Sequence, residues 1–141
     1  CRRWRKISRT GWPDVKKIIW KVEYNKFSKK EIEEIFERSG RYLKILEIPG
    51  ESERQSYLSV VRRHCEQLEQ IKITFTMRPI REYSRDLSRI FQQCKKLRSV
   101  SIHNVHSDFT YDCFDKLRPD IVTDIELIVA DSDVRNTRIS M

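Results

Sequence analysis

One pattern recurs five times along the chain: an apolar residue, two others, a second apolar residue, one other, and a third apolar residue. Val15, Ile18 and Trp20 fit it, as do Leu43, Leu46 and Ile48. Leu68, Ile71 and Ile73 follow, then Leu97, Val100 and Ile102, and finally Val122, Ile125 and Leu127. The first members lie 28, 25, 29 and 25 residues apart. The last two apolar positions of each triad alternate as a strand requires. Near-constant self-similarity of this length means that each unit is one supersecondary element which cannot bury its apolar side alone. The units therefore have to stack.

The spacers carry helical signals. Ser28-Lys29-Lys30-Glu31 forms a capping box ahead of Ile32, Ile35 and Phe36 on one helical face, and Gly40 stands where a helix stops. Ser52 to Gln55 offers a second box before Leu58, Val61 and Cys65. Ser84 precedes Leu87, Ile90, Phe91 and Cys94 in a third helix. Ser107 or Thr110 opens a shorter fourth with Tyr111, Phe114 and Leu117, which ends before Pro119. The expectation is an α/β solenoid of about five strand–helix units with parallel strands on its concave face.

The pattern L-x-x-L-x-[LI] on a strand-plus-helix period of about 20–29 residues resembles the leucine-rich repeat. Cys65 and Cys94, each three residues before a strand Leu, resemble its cysteine-containing subclass. Glu23, Glu51, Thr76, Val105 and Ala130 stand where that family places Asn or Cys, so the inner-turn ladder is missing and irregular curvature is expected. Ahead of the repeats, Cys1-Arg2-Arg3-Trp4-Arg5-Lys6-Ile7-Ser8, followed by Trp12, resembles the end of an F-box. The match covers about eight residues of a motif of roughly forty. Residues 1–12 are then an F-box remnant and linker, and 13–141 the repeat domain, with rungs at 15–20, 43–48, 68–73, 97–102 and 122–127. The resemblance to the F-box/leucine-rich-repeat family implies a Skp-type adaptor and a cullin-based (SCF) ubiquitin ligase as partners of the parent protein. Cys1 and Trp4 would lie on the adaptor side, and the repeats would select a substrate protein. The helices that make most of the adaptor contact would lie upstream of Cys1, so this chain alone is expected to bind the adaptor poorly.

Composition narrows the alternatives. In 141 residues with 38% hydrophobic content, 3 Trp, 5 Tyr and 6 Phe, there is enough apolar material for a core. No apolar run approaches the ~20 residues of a membrane helix. The net charge is +8, yet residues 1–30 hold eleven Lys or Arg against Asp14 and Glu23. The remainder is close to neutral. This basic end, with Arg2, Arg3, Arg5 and Lys6 at its head, could hold RNA or an anionic membrane, with Trp4, Trp12 and Trp20 stacking on bases. The preferred reading places the tryptophans in the core and the basic groups in solvent. The absence of an initiator Met and of an apolar leader at Cys1 points to a fragment of a cytosolic or nuclear protein, with reduced thiols.

The sequence holds no catalytic constellation, which points to a binding module rather than an enzyme, with no cofactor and no metal expected. With Gly11, Gly40 and Gly50 as its glycines, the chain has no phosphate-cradling loop. His103, His106 and Asp108 lack a thiolate at metal spacing and read as surface residues. His64 and Cys65 are adjacent and cannot face each other on a helix. The residues between the apolar ones should face the concave side in three columns. The first reads Lys17, Ile45, Gln70, Ser99, Asp124; the second Ile19, Glu47, Lys72, Ser101, Glu126; the third Lys21, Pro49, Thr74, His103, Ile128. Within them Lys17, Ile19, Lys21, Ile45, Glu47, Lys72, Thr74, Ser101, His103 and Glu126 are the candidate partner-binding residues. The groove runs from basic to acidic. Ile19 and Ile45 are either part of the interaction surface or terminal apolar residues covered by neighbouring segments.

Overall fold

The computed structural model describes residues 12–20, 27–49, 51–52, 55–75, 81–105, 109–129 and 137–140. Its strands are β1 (Lys17–Ile19), β2 (Ile45–Pro49), β3 (Glu51–Ser52), β4 (Gln55–Ser56), β5 (Gln70–Thr74), β6 (Ser99–Val105), β7 (Asp124–Val129) and β8 (Thr137–Ser140). Its α-helices are α1 (Lys29–Ser39), α2 (Tyr57–His64) and α3 (Arg81–Gln93), with 3₁₀ segments at Gly40–Tyr42 and Tyr111–Lys116. The fold is α/β. The principal sheet has the order β1-β2-β5-β6-β7-β8, in which the first five strands are parallel and β8 returns antiparallel to β7. Strand order follows chain order throughout, so the sheet has no switch point of the kind that sends helices to both faces of a doubly wound fold.

Register follows the triads. Ile18, Leu46, Ile71, Val100 and Ile125 are successive partners across the parallel strands, and Ile48, Ile73, Ile102 and Leu127 form the next row. Each row points into the core, where Leu46, Ile71, Ile73, Val100 and Ile102 are almost wholly removed from water. Against them pack Ile32 and Phe36 of α1, Leu58 and Val61 of α2, and Leu87, Ile90 and Phe91 of α3. The backbone repeats as faithfully. The carbonyls of Lys16, Lys44, Glu69 and Arg98 each accept two consecutive N–H groups from the next unit, at 2.7–3.2 Å. One arrangement thus serves four successive junctions.

Helix boundaries are set by local chemistry. Ser28 Oγ accepts from the Glu31 N–H at 3.3 Å while the Glu31 carboxylate accepts from the Ser28 N–H at 2.8 Å. This is the expected capping box, and hydrogen bonding from the Ser28 backbone N–H, with a further contribution from its side chain, lowers the Glu31 pKa. The second expected box does not form. Glu51–Ser52 and Gln55–Ser56 pair as a small antiparallel ribbon, and α2 starts only at Tyr57. Backbone pairing has taken the groups a cap would have used. Ser84 lies inside α3 rather than before it, and its hydroxyl accepts from Thr110 Oγ1 at 3.0 Å.

The fourth spacer is six residues of 3₁₀ helix, not an α-helix. Thr110 makes no side-chain cap bond, and Pro119 bars any continuation of the helix. Cys113 turns inward while Tyr111, expected on the inner face, is 50% exposed. Cover over the last parallel strand is correspondingly thin, and Ile125 and Leu127 stay half-buried.

The thiols of Cys65, Cys94 and Cys113 are free and buried. Burial pushes Cys94 and Cys113 up to about 12 and raises Cys65 as well, so none is a nucleophile at neutral pH. Cys94 Sγ donates to the Cys65 carbonyl at 3.2 Å, and Gln93 Nε2 donates to the same oxygen at 3.1 Å. These bonds satisfy a carbonyl left over at the end of α2. The repeated cysteine is a helix-end plug.

Gly40 has an ordinary right-handed helical φ of −53°, so its need is for space and not for backbone freedom. A Cβ there would lie 2.7 Å from the His64 carbonyl oxygen and 2.8 Å from the His64 Cβ. Gly40→Ala should therefore separate the end of α1 from that of α2 and cost about 1–3 kcal/mol. Urea unfolding checks this, and an unchanged midpoint would mean that the helix ends are not in contact.

Candidate partner-binding face

Among the described residues, helices cover one face of the sheet and no element packs over the other. The register aligns the polar residues between the triads into columns. Lys17, Ile45, Gln70, Ser99 and Asp124 are successive partners, and so are Ile19, Glu47, Lys72, Ser101 and Glu126. Pro49, Thr74, His103 and Ile128 form the third column. Of these, Pro49 is buried and every other member is half-buried or exposed. Ile19 is 47% exposed, whereas Ile45 is half-buried between its neighbours. Lys21, and the end residues Cys1, Arg2, Arg3, Trp4, Arg5 and Lys6, lie outside the described residues, as does His106.

A polar network crosses β6 and β7. Ser101 Oγ donates to Glu126 Oε2 at 3.0 Å, and His103 Nε2 lies 3.0 Å from the same oxygen. These two hydrogen bonds, His103's first, hold the Glu126 carboxyl below its usual range, and the nearby Lys72 charge adds to the effect. The arrangement does not activate Ser101, because its hydroxyl donates to a carboxylate and not to the imidazole. It fixes one carboxylate oxygen and leaves Oε1 without a hydrogen-bond partner among the described residues. A preoriented acceptor results, suited to a donor from a bound molecule.

Two features of this face escaped the sequence. Asn104 has φ 59°, and the register shifts between His103 and Val105. The additional residue reverses the alternation, so His103 stays on the bare face while Val105 is buried. Asn is among the few residues that tolerate this backbone region. Strand β8 also extends the sheet, with Arg138 in register opposite Glu126. The expected run from basic to acidic therefore does not end the face, because a basic residue follows in the same row.

Trp12 and Trp20 are half-buried, and Trp4 lies outside the described residues. Trp20 packs against the core with its ring 5.2 Å from Phe27 and 6.2 Å from Tyr57. Among the described residues no group of three or more His, Cys, Asp or Glu is placed to hold a metal ion. No described helix is long and apolar enough to cross a membrane. Comparison with known proteins gave no match: no family model, no curated protein and no solved structure aligns significantly with the chain.

Because the Glu126 pKa is lowered in the fold, its contribution is present above the ordinary carboxylate value and lost as pH falls through the lowered one. The side chain is 41% exposed, so the effect is that of a surface contact, about 0.2–1 kcal/mol. Glu126→Gln should be slightly less stable than the parent at pH 7, and the deficit should be smaller at pH 3. Paired urea titrations at the two pH values test this; an equal deficit at both would show that the carboxylate's charge is irrelevant.

Proposed function

We propose that the chain is a leucine-rich-repeat solenoid that recognises a protein partner on the bare face of its parallel sheet. We further propose that it is the substrate-selecting part of an F-box subunit of a cullin-based ubiquitin ligase. The observation that carries the first proposal is the bare face itself: aligned polar columns with one exposed isoleucine and one preoriented carboxylate, backed by a core that needs nothing from that side. An antiparallel sheet can leave one face in water at little cost, but parallel sheets normally have both faces covered. Five parallel strands with one face bare are therefore a surface in want of a partner. In this reading Lys17, Ile19, Glu47, Lys72, Thr74, Ser101, His103 and Glu126 read the bound protein, and Ile45 supports them from between.

The ligase connection rests on the resemblance of Cys1-Arg2-Arg3-Trp4 and its position directly before the repeats. Ubiquitin transfer would be the work of other subunits, and this protein would supply affinity and choice. Localisation in the cytoplasm or nucleus follows from that role.

The test is co-expression of the parent protein, extended upstream to its natural start, with a Skp-type adaptor, using the 141-residue chain as the control. The extended form should co-elute with the adaptor and the short chain should not. Proteins captured by the extended form should be lost on Ile19→Asp combined with Lys72→Glu, with the unfolding midpoint unchanged. No co-elution would remove the ligase role, and capture indifferent to the double substitution would remove the face.

A further inference from the structure

The helical side carries a second, chemically distinct feature. A groove of 360 Å³ between the C-terminal halves of α2 and α3 is lined by Arg62, Arg63, Arg89, Gln92 and Gln93. Three arginines and Gln92 can offer N–H donors, and no carboxylate is among the lining residues. Gln93 is fixed in place, since its Nε2 donates to the carbonyls of Arg62 at 2.8 Å and Cys65 at 3.1 Å. Arg62 lies beside Asp86, its Nε 3.3 Å from the carboxylate in an ion pair that makes no hydrogen bond. Arg63 is anchored by Glu33 at 2.8 Å and by the Ser59 carbonyl at 3.3 Å. Each contact uses part of a five-donor guanidinium and leaves the rest.

Arg89 differs. It is exposed and takes no ion pair or hydrogen bond with any described residue. Arg62 and Arg63 stand in the last turn of α2, where cations offset the helix dipole. That explanation does not extend to Arg89, because the last turn of α3 holds no basic residue. The turn that follows α3 carries Lys95 and Lys96, both exposed, although neither lines the groove.

We propose that this groove binds a phosphoryl group, with Arg89 as the residue that closes on it and Arg62 and Arg63 as its preset floor. Guanidinium forks match phosphate oxygens bidentately, and the Gln92 amide adds a neutral donor. The site is separate from the bare face of the sheet and stands or falls independently of the partner proposed there.

Inorganic pyrophosphate is the probe, titrated calorimetrically into the 141-residue chain against sodium chloride of matched ionic strength. Saturable binding is expected. Arg89→Gln should weaken it about tenfold or more. Arg89→Lys should recover only part, because an ammonium lacks the planar fork. Both variants alter an exposed, unpaired residue and should unfold at the parental midpoint. Replacing Arg2, Arg3, Arg5 and Lys6 together with Gln should leave the affinity within twofold. A second arm separates the sources: phosphatidylcholine vesicles carrying a phosphorylated inositol lipid. Vesicle binding that pyrophosphate displaces and Arg89→Gln abolishes assigns a lipid headgroup, while pyrophosphate binding without vesicle binding assigns a soluble phosphate compound. No binding beyond the chloride control, affinity unchanged in Arg89→Gln, or loss only in the four-residue variant would overturn the proposal.

Discussion

A strand of three to seven residues with one apolar edge has no independent existence in water, and neither has a helix of two or three turns. What makes these elements stable together is the junction at which the carbonyls of Lys16, Lys44, Glu69 and Arg98 each take two N–H groups from the unit that follows. That junction sets the register. With it set, Leu46, Ile71 and Val100 fall in one buried row and Ile48, Ile73 and Ile102 in the next. A slip of one residue would bring Lys72 and Ser101 into the core and expose both rows. Helix packing, the plugging of helix ends by Cys94, and the bare polar columns all depend on this alignment.

The same constraint explains where the structure weakens. Among the described residues β1 has a neighbouring strand on one side only and β7 a parallel neighbour on one side only, and Ile18 and Ile125 are less buried than the central members of their row. At the far end the connection holds a 3₁₀ segment in place of an α-helix, and β8 pairs antiparallel where no further parallel strand is supplied by the described residues. Aromatic residues compensate locally. Phe109 lies 6.2 Å from Phe75 and 6.5 Å from Phe114, and Phe91 lies 5.8 Å from Phe114, so rings fill the volume that a regular helix would occupy.

Most of the sheet could be read from the sequence because its signal is doubly encoded, once in the triads and again in their spacing. The three columns of the bare face followed from alternation alone, and the register agrees with them wherever their residues are described. Features that depend on competition between local structures were not legible. Ser52 has the residues of a cap, but pairing of its backbone with Gln55 wins. Asn104 could not be known as a bulge until His103 and Val105 had to satisfy opposite faces. The Ser101–His103–Glu126 network joins residues 23–25 apart, and the groove at Arg89 joins side chains from two helices. Neither leaves a mark in a linear pattern.

The central claim is the parallel, chain-ordered register, and backbone nuclear Overhauser effects read it most directly. The account predicts parallel-type contacts linking Ile45 to Gln70, Gln70 to Ser99, and Ser99 to Asp124, with antiparallel contacts only between β7 and β8 in this sheet. Antiparallel cross-strand contacts between β2 and β5 or between β5 and β6, or a register displaced by one residue, would contradict it.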